Sequence, residues 1–329
     1  MRLVLAMTEQ PKQKARLRIP KWIDKVLMVG GLALVAYVVS RYPLANIEAT
    51  IAGMWPLVAL TPLIALAWFC CSTSALYLLL DRRVGWWRIL WIRLVGDSYN
   101  ALLPLAGFGG EPFKIRQLSE SVEPATALGA LIRDRIIDNA IGFLASGIGC
   151  AVGLLYFTLD PAIRVVLLGY VAFCGAAGLL GFALISTRIP GRLGGWMARL
   201  LGDVEPDQIQ TLPLRRVLAI AGWYTTSRLL GMLEKATLLW ILGQPHDPAT
   251  VVFIDGFLSG AGYIGFFVPA GLGIFEGAAV YVFGVIGASG PIAVAFAVAR
   301  RGRMLVVGLF GVALHVAAIA RDALRRPAI

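Results

Sequence analysis

The chain has 329 residues, of which 58% are hydrophobic and 15% charged, and its mean hydropathy is +0.77. Soluble domains carry about one quarter charged residues, so this sequence has too few charges to coat a globule. That composition excludes a disordered protein, a disulfide-rich secreted module and an ordinary cytosolic enzyme. Thirty Lys and Arg against nineteen Asp and Glu give a formal net charge of +11. In a chain with long apolar runs this excess is first a topology signal, so no nucleic-acid partner is expected.

The charge-free runs give the elements in order. Arg2, Lys12, Lys14, Arg16, Arg18, Lys21 and Lys25 precede the first run, Val26 to Ser40. No small-x-small cleavage site follows, so the expectation is a basic cytoplasmic tail over 1–23 and an uncleaved first helix at about 24–42. Ala49 to Leu80 is 32 residues without a charge and predicts a second helix at about 54–80. Further runs of 21, 23, 20, 23 and 17 residues begin at Asn139, Val165, Gly256, Gly277 and Met304. A spanning helix needs roughly 20 apolar residues, and the Ala, Gly and Leu content lacks the alternation of a barrel strand. The fold class is therefore all-α, a polytopic membrane helix bundle, with one integral domain over 24–322 and a short tail over 323–329. Cys70, Cys71, Cys150 and Cys174 lie inside apolar runs and read as buried small hydrophobes.

Basic residues in short loops set the orientation. The N-terminal tail, Arg82–Arg83–Arg88, the loop Thr187–Arg216 and the C-terminal Arg321, Arg325 and Arg326 belong on the cytoplasmic side. The basic-poor segments around Arg41–Glu48, Asp160 and His246–Asp255 belong outside. Both termini are thus cytoplasmic in a multi-pass protein of the bacterial inner membrane. Trp86, Trp87 and Trp91 beside Arg88 read as an interfacial belt.

Two segments break this simple pattern. Ser98 to Gly110 is apolar for only 13 residues before Glu111, Pro112, Lys114 and Arg116. A chain that enters, breaks between Pro104 and Gly110 (with Gly107 and Gly109 between them) and turns back satisfies both features, because irregular backbone at membrane depth needs protein or a cavity around it. The second segment has the same punctuation: Pro269, Gly271 and Gly273 lead to Glu276. Each proline precedes its glutamate by seven residues, and the prolines are 165 residues apart, half the chain. Paired Gly/Pro-interrupted segments, one entered from each side, predict re-entrant segments of an inverted repeat.

Ionisable residues near apolar helices are the candidate site, since each costs about 2.5–3.5 kcal/mol at a helix centre on insertion scales. They form four groups: Glu111, Lys114 and Arg116; Arg133, Asp134, Arg135 and Asp138; Arg228, Glu234 and Lys235; and Glu276 with Arg300, Arg301 and Arg303. Asp134 and Asp138 share a helix face, Arg135 reaches Asp138 at i+3, and Arg228 and Lys235 are spaced to face one cavity. Such groups suit a zwitterionic or anionic head group with Arg as the phosphate clamp; mutual pairing, or a place at the interface, is the alternative for the second and fourth groups. His246 and His315 are the only histidines, and no zinc, nucleophile-elbow or P-loop motif is present, so neither a metal nor a cofactor is expected.

The segments Asn100–Lys114, Arg133–Asp138 and Pro269–Gly277, in this order, resemble the lysylphosphatidylglycerol synthase transmembrane region. This is a flippase-like integral membrane family, some of whose members accompany hopanoid biosynthesis. The resemblance covers about residues 25 to 322. It implies a helix bundle with re-entrant helices, lipid translocation, a membrane-lipid substrate and lipid-biosynthesis enzymes as partners, with Glu111, Arg133, Asp138 and Glu276 as signature residues. No soluble aminoacyl-transferase domain is present in the 329 residues, so only the membrane half of that activity is expected. An intramembrane lipid-modifying enzyme using Glu111 or Glu276, or a non-catalytic scaffold, are the alternatives.

Overall fold

The computed structural model describes residues 59–102, 109–185, 212–265 and 274–324, and among these there are nine helices and no strand. They are α1 (Leu60–Leu79), α2 (Trp86–Leu102), α3 (Glu111–Ser119), α4 (Pro124–Tyr156), α5 (Pro161–Ile185), α6 (Leu214–Ile241), α7 (Pro248–Gly265), α8 (Ile274–Val285) and α9 (Gly290–Leu324). Four are long and apolar enough to cross a membrane: α1, α4, α5 and the part of α9 from Gly290 to Arg321. The basic tail, the first predicted helix and the first residues of the second up to 58, the basic loop from 186 to 211, and Pro104, Gly107, Pro269, Gly271 and Gly273 lie outside the described residues, while the rest of the second predicted helix is α1.

The helix starts are written locally. α5 and α7 each begin with an Asp-Pro pair, in which proline gives up an amide that the first turn does not need. The aspartate accepts from the next exposed amides: Asp160 from the Ala162 N–H at 2.8 Å, and Asp247 from the Thr250 N–H at 3.1 Å. The helices are apolar around most of their circumference, as membrane helices are. Leu155 of α4 and Val165, Leu168, Phe173 and Leu179 of α5 are exposed and form a lipid-facing surface.

α1 to α4 and α6 to α9 are two runs of four helices on either side of α5. α1 packs against α6, α2 against α9, α4 against α7, and α5 against α4.

Small residues bring the paired helices close, the usual device where water exclusion supplies no drive between helices. A Cβ added to Gly149 of α4 or to Gly256 of α7 would lie 2.7 Å from the other glycine's Cα. Beside them the Ser146 hydroxyl donates to the Gly256 carbonyl at 2.6 Å. At the α2–α9 contact, the Ser98 hydroxyl reaches the Val307 carbonyl at 3.3 Å. The two largest core clusters among the described residues centre on Leu76, Ile92, Phe113 and Tyr224 and on Phe253, Ile254, Phe283 and Phe296.

The tryptophan belt is only partly as expected. Trp87 is exposed, but the Trp86 indole donates to Ser74 at 3.1 Å, and Trp91 packs inward against Phe113 and His315. An interior aromatic cluster outcompetes the interface for Trp91, because Phe113 arrives beside it from α3.

Candidate functional site

The first charged cluster is assembled where α2 gives way to α3. Near the end of α2, Asn100 bridges the two sides of this passage. Its carbonyl oxygen accepts from the Gly110 N–H at 2.7 Å, and its amide donates to Asp97 at 3.2 Å and Glu111 at 3.1 Å. Gly110 has to be glycine, since a Cβ there would run into the Gly96 carbonyl. Lys114, one turn into α3, donates to Asp97 Oδ1 at 2.5 Å and Glu111 Oε1 at 3.0 Å. Arg135 of α4 completes the group, 2.5 Å from Glu111 and 3.8 Å from Asp97. Two acids and two bases from three helices therefore come together between α2, α3 and α4, and the Lys114 side chain is only 4% exposed.

A turn away, Arg93 of α2 meets Asp134 of α4 at 2.7 Å, with both side chains under a tenth exposed. The Tyr224 hydroxyl of α6 donates to the same carboxylate. Arg228 of α6 pairs with Asp138 of α4 at 3.3 Å. Gly142 lets this pair and Tyr263 approach α4, since a Cβ there would lie 2.6 Å from an Arg228 guanidinium nitrogen. Arg133 lies within electrostatic reach of Asp81 in the α1–α2 turn.

The second cluster lies among α6, α7 and α9. Lys235 pairs with Asp255 at 2.7 Å, and Glu234 with Arg303 at 2.8 Å. Arg300 lies over the Phe275 ring, 4.3 Å from its centroid. Glu276 lies on α8; its side chain lies outside the described residues.

The predicted residues are thus brought together in a different grouping from the one their sequence spacing implied. Glu111 and Lys114 meet as expected, but Arg135 turns to Glu111 and Asp97 rather than to Asp138 at i+3. Asp134 and Asp138 share a helix yet take different partners, and Arg228 and Lys235 belong to separate clusters. Asp255 is not part of an external loop: it is the eighth residue of α7 and buried. Asp97, Arg93 and Tyr224 were not singled out by sequence. A signal existed for Asp97, a lone acid in the apolar stretch Leu94–Tyr99; Tyr224 carried none, since nothing local marks a tyrosine that will meet a buried carboxylate. Among the described residues, no three His, Cys, Asp or Glu side chains converge as metal ligands.

No curated protein and no solved structure matches the chain. The model of the lysylphosphatidylglycerol synthase TM region matches residues 22–311, which include every residue of both charged clusters. Covering most of the sequence and both clusters, that match shows that the chain belongs to the lysylphosphatidylglycerol synthase TM region family.

Proposed function

We propose that the protein is a lipid flippase or transporter, moving a lipid or lipid-linked head group across the bacterial cytoplasmic membrane. The observation that carries this reading is the Asp97–Glu111–Lys114–Arg135 cluster between α2, α3 and α4. Buried ion pairs are weak devices for stability, since apolar residues of similar volume serve as well or better. A bundle that keeps four charges together among apolar helices has a use for polarity there, and a lipid head group in transit is that use. The head group moves along the charged clusters while the acyl chains stay in lipid.

The two runs of four helices and their packing on each other support reading them as an inverted repeat. In the loop-charge topology, with both termini cytoplasmic, α4 starts from the inside and α9 from the outside. Rocking of one run against the other then gives alternating access. The single membrane domain and a setting in lipid biosynthesis, hopanoid biosynthesis included, belong to the same proposal. A lipid-modifying enzyme is less well supported: Glu111 Oε1 already accepts from Lys114, Arg135 and Asn100, which suits a held carboxylate better than a proton shuttle.

Cells lacking the protein test the reading through labelling of lipid head groups by a membrane-impermeant amine or sugar reagent. Transport predicts normal lipid species with one trapped on the inner leaflet. Disappearance of a lipid species altogether would replace transport by chemistry, and unchanged composition and sidedness would contradict both.

A further inference from the structure

We propose that Arg300 anchors a seat for a phosphate group, the phosphate of an anionic lipid head group, in the cluster formed by α6, α7 and α9. The inference rests on the transport reading only for the source of the phosphate.

The charge balance differs between the two clusters. Between α2, α3 and α4 Asp97 and Glu111 answer Lys114 and Arg135, and Arg93 and Arg228 each have their own aspartate. In the second cluster Asp255 is taken by Lys235 and Glu234 by Arg303. Arg300 lies within electrostatic reach of those same two carboxylates. Lys235, Arg303 and Arg300, three cations, therefore share two acids among the described side chains.

Arg300 is where the deficit becomes local. Its Nη1 is buried and has no hydrogen-bond partner among the described residues. Phe275 covers one face of the guanidinium, so what remains is the planar N–H edge, the part that matches a phosphate bidentately. A buried charged donor left unsatisfied is among the costlier defects a fold can carry. Phe275 lies on α8. Arg300 itself is the eleventh residue of α9, about 15 Å along the helix from its start.

Comparison with the other run of helices sharpens the assignment. The eighth residue of α2 is Arg93 and the eleventh of α4 is Asp134, and these pair with each other. The corresponding positions of α7 and α9 hold Asp255 and Arg300, the same two places with the signs exchanged. The first pair closes on itself with Tyr224. In the second, Lys235 occupies Asp255 and leaves Arg300 for an anion from outside the chain.

The test uses the purified full chain in detergent, titrated with dihexanoyl phosphatidylglycerol, with the matched neutral diacylglycerol and with inorganic phosphate, following tryptophan fluorescence. Wild type should saturate with the phosphatidylglycerol and not with the diacylglycerol. Arg300→Gln should weaken Kd by about tenfold or more, the usual worth of a charged hydrogen bond, and Arg300→Lys by less. Asp255→Asn removes a competing carboxylate and should tighten binding, an effect that damage to the fold would not mimic. Arg88→Gln, at an exposed surface pair, should change nothing. Saturation by inorganic phosphate alone, lost in Arg300→Gln, keeps the phosphate seat and assigns it to a soluble ion or ester. Wild-type affinity in Arg300→Gln overturns the proposal. If that variant does not fold, weaker or unchanged binding in Asp255→Asn overturns it instead. A protein that binds through Arg300 but moves no lipid in vesicles would sink the transport reading and leave this one standing.

Discussion

Replacing Lys114 with Met probes the first cluster at its most buried charge. The ammonium lies 2.5 Å from Asp97 and 3.0 Å from Glu111, on a side chain 4% exposed. Removing one partner of a fully buried ion pair costs about 3–5 kcal/mol, because the remaining charge is left uncompensated. Here the two acids are 21% and 14% exposed, and Arg135 stays within 4 Å of both. Water and Arg135 recover part of the loss, so the expected destabilisation is about 2–4 kcal/mol. Met preserves the aliphatic stem that packs on Gly96, where an added Cβ would lie 2.6 Å from the lysine side chain; the effect therefore reads charge rather than volume. Unfolding in detergent, followed by tryptophan fluorescence against denaturant, measures it. Adding Glu111→Gln should cost less than the two single changes summed, by about 1 kcal/mol or more, as expected for residues in one network. A Lys114→Met penalty below about 0.5 kcal/mol, or strict additivity, would refute the cluster as described.

The Arg93–Asp134 pair should behave as a closed unit. Arg93→Met and Asp134→Leu should each cost about 3–5 kcal/mol, while the double variant costs much less than their sum, measured by the same unfolding. Gly149→Ala should destabilise by about 1–3 kcal/mol, since α4 and α7 meet backbone to backbone at Gly256 and have no flexible side chain to yield. Asp247→Ala should weaken the start of α7 by about 1 kcal/mol, read as faster amide exchange at Thr250 and Val251. Hydrogen bonds from the Thr250 hydroxyl and amide hold the Asp247 carboxylate below its ordinary range. Its contribution is therefore present above that range and lost as the pH falls through it, so wild type should lose protection there on acidification and Asp247→Ala should not.

Charge scarcity and long apolar runs were enough to read a membrane bundle, because both follow from composition. The Asp-Pro pairs at 160–161 and 247–248 marked helix starts through purely local chemistry. Partner choice was not legible in the same way. Arg135 has Asp138 within i+3 reach, yet Glu111 arrives from another helix with Asp97 and offers two carboxylates instead of one. Asp255 looked like part of a basic-poor loop because only Lys235, twenty residues earlier and on a different helix, makes burial of its charge tolerable. The charge exchange between Arg93–Asp134 and Asp255–Arg300 becomes visible only when positions are counted from the helix starts, which the sequence alone places too loosely.

Reconstitution tests the central claim most directly. Vesicles carrying the chain and a trace of fluorescently head-group-labelled phospholipid are treated with dithionite, which bleaches only the outer leaflet. The account predicts bleaching well beyond the outer-leaflet fraction, slowed at least tenfold by Glu111→Gln and unchanged by the surface variant Arg88→Gln. A plateau equal to that of protein-free vesicles, across anionic, zwitterionic and glycosylated head groups, would contradict it.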